Sequence, residues 1–517
     1  MTRRQFIHHA SVLGSTPFWI NGLAGRTFNN LPLPDVLNQA SDHCVVLIEL
    51  KGGNDGLNSI IPINQYDLYR GFRPRIGIKD IGKDGFLPLD NTLSDAKKLG
   101  LHPSLSTFKN WYDAGKMAVV QGVGYPDTNL SHFKSTDLWL TGGDGTPANS
   151  DFKTGWMGRY LVNKFPDGQY ATQVPTIKKP TPNMPDPLGI QLGDVSPSMG
   201  FRTDTPFGVE VNLTGQNPAG YYSLLSSVGA PPLNSLPNTD YGRGLQQIMN
   251  IEESVMSYAQ RITDVFKAGS NAVTYPDSDL AQQLKTVARF LRGGSKTQIF
   301  LTHHGSYDTH SGQIQANSPH LGAHADLLTD LSAAIGAFLN DLGSLGLADR
   351  VIVATFSEFG RRVSENTNWG TEHGTIAPML VFGNRVQPGI LGNNPNLALV
   401  NANNGFQLQD RQFDYRQVFG TLLKNWLGAS NDVMTQTFRG NYPSIDLIRA
   451  CGERLVVVDK PITPPLYQNT NAYTIEASSS IGSGTDVTFT GEKSVVLKPG
   501  FKTEPGAVFT AKTGGCN

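Results

Sequence analysis

Cysteine is scarce in this sequence of 517 residues, because only Cys44, Cys451 and Cys516 occur. Three thiols exclude a disulfide framework and leave room for one bridge at most. Cys451 and Cys516 are the natural pair, since they flank a C-terminal segment while Cys44 lies in an apolar run. Three unpaired thiols are the alternative.

An excess of charge is also missing. The chain has 42 basic and 43 acidic residues and a formal net charge of -1, so we expect no nucleic acid partner. Beyond the N-terminal segment no apolar run is long enough to span a bilayer, so we expect no membrane span in the mature protein. Glycine and proline are abundant, with 56 and 32 residues, which indicates many long, shaped loops.

The N-terminal segment, residues 1–26, has the features of an export address. Arg3 and Arg4 precede Phe6 and a weakly apolar stretch that is too short to cross a membrane. This arrangement resembles a twin-arginine signal, and the alternative is a chance Arg-Arg pair. The resemblance implies export of a folded protein to the periplasm, the cell surface or the extracellular space.

Five apolar runs, several of them β-branched, predict strands that are buried on both faces of a sheet. They are Cys44–Leu50, Met117–Gln121, Thr297–Thr302, Val351–Phe356 and Pro378–Phe382. Apolar residues at helical spacing from Leu327 to Leu342 predict a helix between the third and fourth runs. Strand, helix and strand in this order form a βαβ unit. We therefore predict an α/β fold with a doubly wound, mainly parallel sheet over residues 43–450.

Two other regions differ from the rest of the chain in composition and sequence pattern. Residues 166–240 are rich in proline, glycine, asparagine and serine, which indicates long insertions over one end of the sheet. Residues 465–517 contain short alternating segments between glycine turns, and the stretch from Ser483 is echoed by the stretch from Pro505. This pattern predicts a small C-terminal module of stacked β-strands.

Polar clusters follow three of the predicted strands, and a fourth cluster precedes the last one. Because ligands bind beyond the carboxyl ends of parallel strands, we expect these clusters to meet. Carboxylates and imidazoles together suit zinc, manganese or calcium, so the predicted cofactor is a divalent metal ion. The clusters lie at Asn54–Asp55, His303–His310, Ser357–Arg362 and Gly370–Gly374.

The run Ser357-Glu-Phe-Gly360, followed by Thr371-Glu-His-Gly374 and an apolar strand, resembles the alkaline phosphatase and sulfatase-like superfamily. In that superfamily an Asp-His-Gly and a later His-Gly supply metal ligands. Glu358 and Phe359 stand here in place of the Asp-His pair. This departure removes one imidazole from a two-metal site.

A closer resemblance is to an exported bacterial family of unknown function, DUF1501, over about residues 43–445. The motifs that carry it are Glu49–Asn58, Asn129–Phe133, Asp308–His310 and Ser357–Arg361. The resemblance implies a sulfatase-like fold and a set of metal ligands. By residue-wise carry-over, the expected ligands are Asp55, Asp308, His310, Glu358 and His373.

The nucleophile is expected near the second strand. Superfamily phosphodiesterases carry Thr-x-x-Asn-His and a later Thr-Gly, and Thr128 to His132 with Thr141-Gly142 is similar. A hydroxyl beside a cation can attack phosphorus. The candidate catalytic residues are therefore Thr128 first, Ser131 second and His132.

Each of these assignments has a structural alternative. Asp55 could bond the backbone of its own turn, Glu358 could form an ion pair with Arg361, and His132 could be a core residue. His303 and His304 are expected to pack at the strand end. His320 and His324 are expected on a solvated helix face.

Two functions remain open at this point. The first is an exported metal-dependent hydrolase of phosphate or sulfate esters, acting on a small-molecule or polysaccharide substrate. The second is a non-catalytic relative that binds surface polysaccharide or envelope partners. The C-terminal module resembles the small β domain of many secreted Bacteroidetes proteins, which implies association with the cell surface.

Overall fold

The computed structural model of the chain describes residues 17–20, 23–26, 43–80, 82, 84–150, 152–165, 186–194, 198–203, 210–213, 217–220, 258–449, 453–463 and 467–513. Arg3 and Arg4 of the predicted export signal lie outside the described residues, as do Cys451 and Cys516. Pro17–Ile20 pairs with Leu23–Arg26 as a short antiparallel hairpin.

A nine-stranded sheet forms the centre of the protein. Its strands are β1 (Cys44–Leu50), β2 (Met117–Gly124), β3 (Gly189–Gln191), β4 (Glu210–Asn212), β5 (Ile299–His304), β6 (Val351–Phe356), β7 (Ala377–Phe382), β8 (Gly389–Leu391) and β9 (Phe413–Asp414). The order is β8-β2-β7-β6-β1-β5-β3-β4, and β9 also pairs with β2. All pairings are parallel except those of β7, which is antiparallel to β6 and β2.

This sheet confirms the predicted fold class. β1 and β6 have the predicted bounds, while β5 begins two residues later than predicted and includes His303 and His304. β5 and β6 flank β1 in parallel, and the helix between them completes the βαβ unit. The region predicted as insertions contributes β3 and β4, so part of it extends the sheet at one edge.

Helices cover both faces of the sheet. They are α1 (Gly56–Ser59), α2 (Tyr66–Phe72), α3 (Ser106–Asp113), α4 (His132–Thr141), α5 (Trp156–Lys164), α6 (Asp279–Arg292), α7 (Ala323–Ser344), α8 (Tyr415–Thr421) and α9 (Asn431–Phe438). A single π-helical turn, Leu422–Trp426, continues α8. Residues 258–268 are also helical. No helix among the described residues combines the length and apolarity that a bilayer crossing needs.

The alternation of β1 explains why six of its seven residues are apolar; the exception, Glu49, is buried and contacts His303. Val46 and Ile48 pack in one hydrophobic cluster with residues of α3, α6 and α7. Val45 and Leu47 pack in a second cluster with residues of α4, α5, α8 and α9. Because successive side chains of a strand point to opposite faces, a strand between two helical layers needs apolar residues at every position.

Short pairings form the rim of this domain. Ile60–Pro62, Leu99–Leu101 and Leu87–Pro88 make a small antiparallel sheet. Gly360–Glu365 and Thr371–Gly374 form a hairpin directly after β6, and Arg361 lies opposite His373 in it. The 3₁₀ turns are Ile63–Gln65, Asp95–Lys97, Pro103–Leu105, Met199–Phe201, Pro218–Gly220, Ala348–Arg350, Leu397–Leu399 and Ala402–Asn404.

The predicted C-terminal β module is confirmed as a stack of parallel strands. Glu453–Val458, Tyr467–Ala477, Asp486–Leu497 and Val508–Thr513 pair in this order, each parallel to the next. Ser480–Ile481 and Lys502–Thr503 form a second parallel pair. The chain therefore winds in successive coils, each bonded to the one before it.

The sequence similarity between the stretches that begin at Ser483 and Pro505 reflects the register of this stack. Asp486 pairs with Val508 and Val487 with Phe509, so the stretches that begin at Ser483 and Pro505 lie one above the other. The Gly484 amide donates to the Gly506 carbonyl at 3.1 Å. Inside the coils lies a small core of Ile462, Ile475, Ala477, Ile481, Val487 and Phe489.

Phe489 tests how much this small core contributes. Its side chain is fully buried and packs edge-on against Phe509. Replacement by alanine at such a site costs about 3–5 kcal/mol, so we expect Phe489→Ala to abolish hydrogen-exchange protection over residues 486–497. Thr488→Ala, on the neighbouring position of the same strand, is the control and should keep that protection. Equal protection in both variants contradicts the assignment of Phe489 to the core.

Candidate metal centre at the carboxyl edge of the sheet

The loops after β1, β5 and β6 meet at one edge because these strands are parallel neighbours. Gly52 has φ +116°, and a Cβ there would overlap the backbone of Asp308, so only glycine lets these two loops approach. α4 begins with His132 at the same edge, since β2 runs in the direction of β6. The hairpin after β6 adds His373.

Arg361 joins these segments. Its side chain is 0% exposed, and it donates to the carbonyls of Gly52, Gly53 (2.7 Å) and Thr371 (2.8 Å). Its Nη2 also contacts Asp308 Oδ1 at 2.5 Å. Burial alone would raise the pKa of Asp308, but the hydrogen bond and charge of Arg361 outweigh it and lower that pKa. Asp308 is therefore held in place as a carboxylate.

Three imidazoles face Asp308. The Nε2 atoms of His310 and His373 lie 3.0 and 3.3 Å from Asp308 Oδ1, and Nε2 of His132 lies 3.4 Å from Oδ2. The Nε2 atoms of His310 and His373 are 2.8 Å apart. The ligand atoms of His132, Asp308 and His373 also all lie within 4.8 Å of one another.

The other nitrogen of each ring has an acceptor of its own. His132 Nδ1 lies 2.8 Å from Glu358 Oε1, and His310 Nδ1 lies 2.9 Å from Glu372 Oε2. His373 Nδ1 lies 2.7 Å from the carbonyl oxygen of Leu130. A carbonyl only accepts, so Nδ1 of His373 carries the hydrogen. Metal-binding histidines are commonly oriented in this way, by a carboxylate or carbonyl on the second nitrogen.

The acceptors of the three Nδ1 atoms determine which ring nitrogens of the candidate metal centre carry hydrogens. When Nδ1 of a neutral imidazole carries the hydrogen and donates it to an acceptor, Nε2 carries a lone pair instead. Two lone pairs at 2.8 Å, between His310 and His373, repel each other unless a cation or a shared proton lies beside them. Because zinc–nitrogen bonds are about 2.0–2.1 Å long, two donors to one ion lie at most about 4 Å apart. The separations of 2.8–3.4 Å meet that limit, so these residues fit a cation.

The imidazoles differ in proton affinity. The hydrogen bond to Glu358 is the main influence on His132 and raises its pKa. Burial is the main influence on His373 and lowers its pKa, against the hydrogen bond to Leu130. Burial would raise the pKa of Glu372, but the hydrogen bond of Asn366 and the charge of His310 lower it. Glu372 is thus a carboxylate at neutral pH.

Two expected ligands lie apart from this convergence. Glu358 is buried, and its Oε1 accepts from His132 Nδ1 and from the Gly52 amide, each at 2.8 Å. Asp55 is fully buried and pairs with Arg73 at 2.7 Å, while Gln313 donates to its Oδ2 at 2.6 Å. Asp55 also accepts from the Asn58 amide at the start of α1. The structure therefore brings Asp308, His310 and His373 together, and it engages Asp55 and Glu358 elsewhere.

The candidate nucleophiles lie in the loop before α4. Thr128 is half-buried and its hydroxyl donates to the Tyr125 carbonyl at 3.1 Å. Ser131 is exposed at the N-cap of α4, where its side chain makes no capping hydrogen bond. Its neighbour His132 is half-buried and faces the centre through Nε2.

The remaining histidines have other partners. His303 contacts Glu49 at 2.8 Å, and His304 contacts Asp330 at 3.0 Å, so both are buried at the strand end as expected. His320 lies 3.6 Å from Asp84. The prediction of a solvated face is wrong for His324, which is 2% exposed and lies 3.0 Å from Asn54 Oδ1.

Sequence reasoning missed two participants, and it gave a third only a catalytic role. Glu372 precedes His373 in a motif that was recognised, but its partner His310 is distant in sequence. Arg361 was paired with Glu358, whereas its partner is Asp308. His132 was placed among catalytic residues, and its contacts put it beside the ligands. Only the folded structure shows which of these residues contact each other.

His324 predicts acid sensitivity. Burial lowers its pKa from 6.5 to about 4. The unfolded state therefore binds more protons between these values, and the free energy of unfolding falls as the pH falls through that window. The full loss is about 3 kcal/mol, at about 1.4 kcal/mol per pKa unit. Urea titrations at pH 7 and pH 4 should show a smaller loss for His324→Gln than for the wild type. Equal losses of the free energy of unfolding in the variant and the wild type would contradict this role of His324.

Solved structures of other proteins resemble this chain over most of its length. A protein in the alkaline phosphatase superfamily from Vibrio parahaemolyticus is 11% identical, and the match covers 78% of this chain and 72% of that one, with a TM-score of 0.33. The PsFucS1 sulfatase from Pseudoalteromonas sp. is 13% identical, with 81% and 76% covered and a TM-score of 0.33. The C-terminal periplasmic domain of EcEptC from Escherichia coli, solved in complex with Zn, is 9% identical, with 80% and 93% covered and a TM-score of 0.34.

Comparison with curated proteins gives no match. A family model does match, over residues 253–431, and its description is "Protein of unknown function (DUF1501)". That segment contains β5, α7, β6 and the hairpin, and with them Asp308, His310 and His373. The predicted resemblance to DUF1501 is thus confirmed over the part of the chain that carries most of the candidate metal centre.

Proposed function

We propose that this protein is a metal-dependent hydrolase of phosphate or sulfate esters that acts outside the cytoplasm. The observation that supports it best is the convergence of three Nε2 atoms on Asp308, with each Nδ1 bonded elsewhere. The proposed ligands are His132, Asp308, His310 and His373. Three imidazoles and one carboxylate favour zinc or manganese over calcium, which prefers oxygen.

A divalent cation at such a centre stabilises negative charge on the oxygens of a phosphoryl or sulfuryl group and lowers the pKa of a nearby hydroxyl. The chain's own residues fix the geometry. Glu358, Glu372 and the Leu130 carbonyl orient the rings, and Arg361 orients Asp308. Asp308 and His310 are part-exposed at the surface, so an ester can reach the centre from solvent.

Ser131 is the proposed nucleophile, ahead of Thr128. The Ser131 hydroxyl is exposed at a helix start beside His132, whereas the Thr128 hydroxyl donates to a backbone carbonyl. Ser131 Oγ attacks phosphorus or sulfur, the ester bond to the alcohol breaks, and the hydroxyl proton leaves with the alcohol. Water then releases the phosphate or sulfate and restores the serine.

Phe133 favours a second candidate function, the binding of surface polysaccharide without turnover. Its side chain is 87% exposed and directly follows His132. A large exposed aromatic ring at a polar site is typical of a ligand-contacting surface, and sugar rings stack on such side chains. Turnover of an ester that chelation abolishes selects the first function. Glycan binding without turnover selects the second.

Export by residues 1–26 and attachment to the cell surface through residues 465–517 remain part of the proposal. A protein truncated after Pro461 should be released from the cell surface, and fractionation of the envelope measures this. If the truncated protein keeps the distribution of the full chain, the attachment role is refuted.

Loss of Asp308 should remove the metal but keep the fold. Its carboxylate contacts all three imidazoles and Arg361. Asp308 is part-exposed, so Asp308→Ala leaves no large cavity, and Arg361 keeps the carbonyls of Gly52, Gly53 and Thr371 as acceptors. We expect at least tenfold less bound zinc or manganese by elemental analysis, with an unchanged circular dichroism spectrum. Asp90→Ala, which changes a half-buried aspartate that bonds only to Thr92 among the contacts described, is the matched control. Full metal occupancy in Asp308→Ala counts against this ligand set.

Ser131→Ala should lower kcat for aryl phosphate or aryl sulfate by at least 100-fold while metal content is unchanged. Removal of an attacking hydroxyl affects the reaction and not the ligands, which explains this separation. Thr128→Ala should retain activity within a few-fold. The opposite ranking of the two variants would assign the attack to Thr128.

A further inference from the structure

The two residues that follow Ser357 occupy the space beside the proposed centre without offering it a donor. The Phe359 side chain is buried, and its ring centroid lies 4.9 Å from that of His132 and 4.5 Å from that of His373. Gly53 has φ +78°, and a Cβ there would overlap the Phe359 ring. An apolar ring therefore fills the volume between two imidazoles and the glycine turn.

Protein partners already engage the Glu358 carboxylate through Oε1. The side chain is 3% exposed, and Oε1 already accepts from His132 and from the Gly52 amide. Oε2 lies 3.2 Å from the Ser357 hydroxyl, which donates to the Leu50 carbonyl at 2.6 Å. Withdrawing this carboxylate would leave the Nδ1 hydrogen of His132 and the Gly52 amide, both partly buried, without their acceptor, which is unfavourable.

Asp55 is engaged in the same way. Arg73 contacts both of its oxygens, at 2.9 and 2.7 Å, and neither of these two side chains is exposed. Breaking a buried ion pair by taking away one partner is strongly destabilising. Asp55 therefore stays with Arg73, away from any cation.

From these contacts we infer that the centre holds one cation per chain and that Glu358 and Phe359 position it. Glu358 acts through the Nδ1 hydrogen of His132, and Phe359 acts by its packing against His132 and His373. This inference rests on the proposed function. It adds the number of ions and gives Glu358 the role of a positioning residue. The single proposed ion is held by His132, Asp308, His310 and His373.

The test is a titration of the full-length protein with zinc or manganese chloride, followed by native mass spectrometry and elemental analysis. We expect a plateau at one ion per chain in the wild type and at none in His373→Ala. Two ions in the wild type, or one ion retained in His373→Ala, overturns the inference of a single centre. No bound ion in the wild type overturns the proposed function itself, so the two failures are distinguishable.

Variants of the two positioning residues complete the test. Glu358→Gln keeps an oxygen that can accept from His132, so it should still bind one ion, and Glu358→Ala should bind it about 10–100-fold more weakly than the wild type. Phe359→Leu stays apolar and should also bind one ion. If Glu358→Gln binds none at saturating metal while its melting curve is unchanged, Glu358 is a ligand and the inference fails.

Discussion

The buried guanidinium of Arg361 is the contact on which the candidate site depends. One side chain bonds the loop after β1, the loop after β5 and the far strand of its own hairpin, and it fixes Asp308 as a carboxylate. Arginine suits this place because its planar fork carries five donors and stays charged when it is buried. A lysine has neither the reach nor the geometry to bond three loops together.

A second buried arginine stabilises the loop after β1. Arg73 pairs with Asp55 and donates to the carbonyls of Arg362 and Val363 at 2.8 Å, so it ties the glycine turn to the hairpin. Asp55 also accepts from Gln313, whose own oxygen accepts from Thr309 and Thr371. The network satisfies its members mutually, which is the condition under which buried polar groups stabilise a single conformation.

Runs of apolar residues were sufficient to predict the fold, because β1 and β6 at the centre of the sheet are buried along their whole length and are mostly apolar. Antiparallel β7 could not be foreseen, since a buried strand reads the same in either direction. The stack at the C-terminus was foreseeable because Ser483 and Pro505 begin stretches that pair with each other. Strands β3 and β4 are three residues long and carry too little pattern to be recognised.

The site was predictable only in part. Clusters at strand ends led to Asp308, His310 and His373, because the edge of a parallel sheet gathers such residues. Residues more than two hundred positions apart in the sequence determine which carboxylate accepts from which imidazole ring, as with His132 and Glu358. Asp55 and Glu358 could not be separated by residue type from the proposed ligands, since an oxygen that is already bonded looks the same in a sequence as one that is free.

The parallel coils of the C-terminal stack have a consequence for how this protein can change over evolution. Each coil bonds only to its neighbours, and paired residues lie about 20 positions apart, as with Tyr467 and Asp486. Duplication or deletion of one such unit leaves every remaining contact intact. The C-terminal stack can therefore change in length by whole coils while the α/β domain is inherited unchanged.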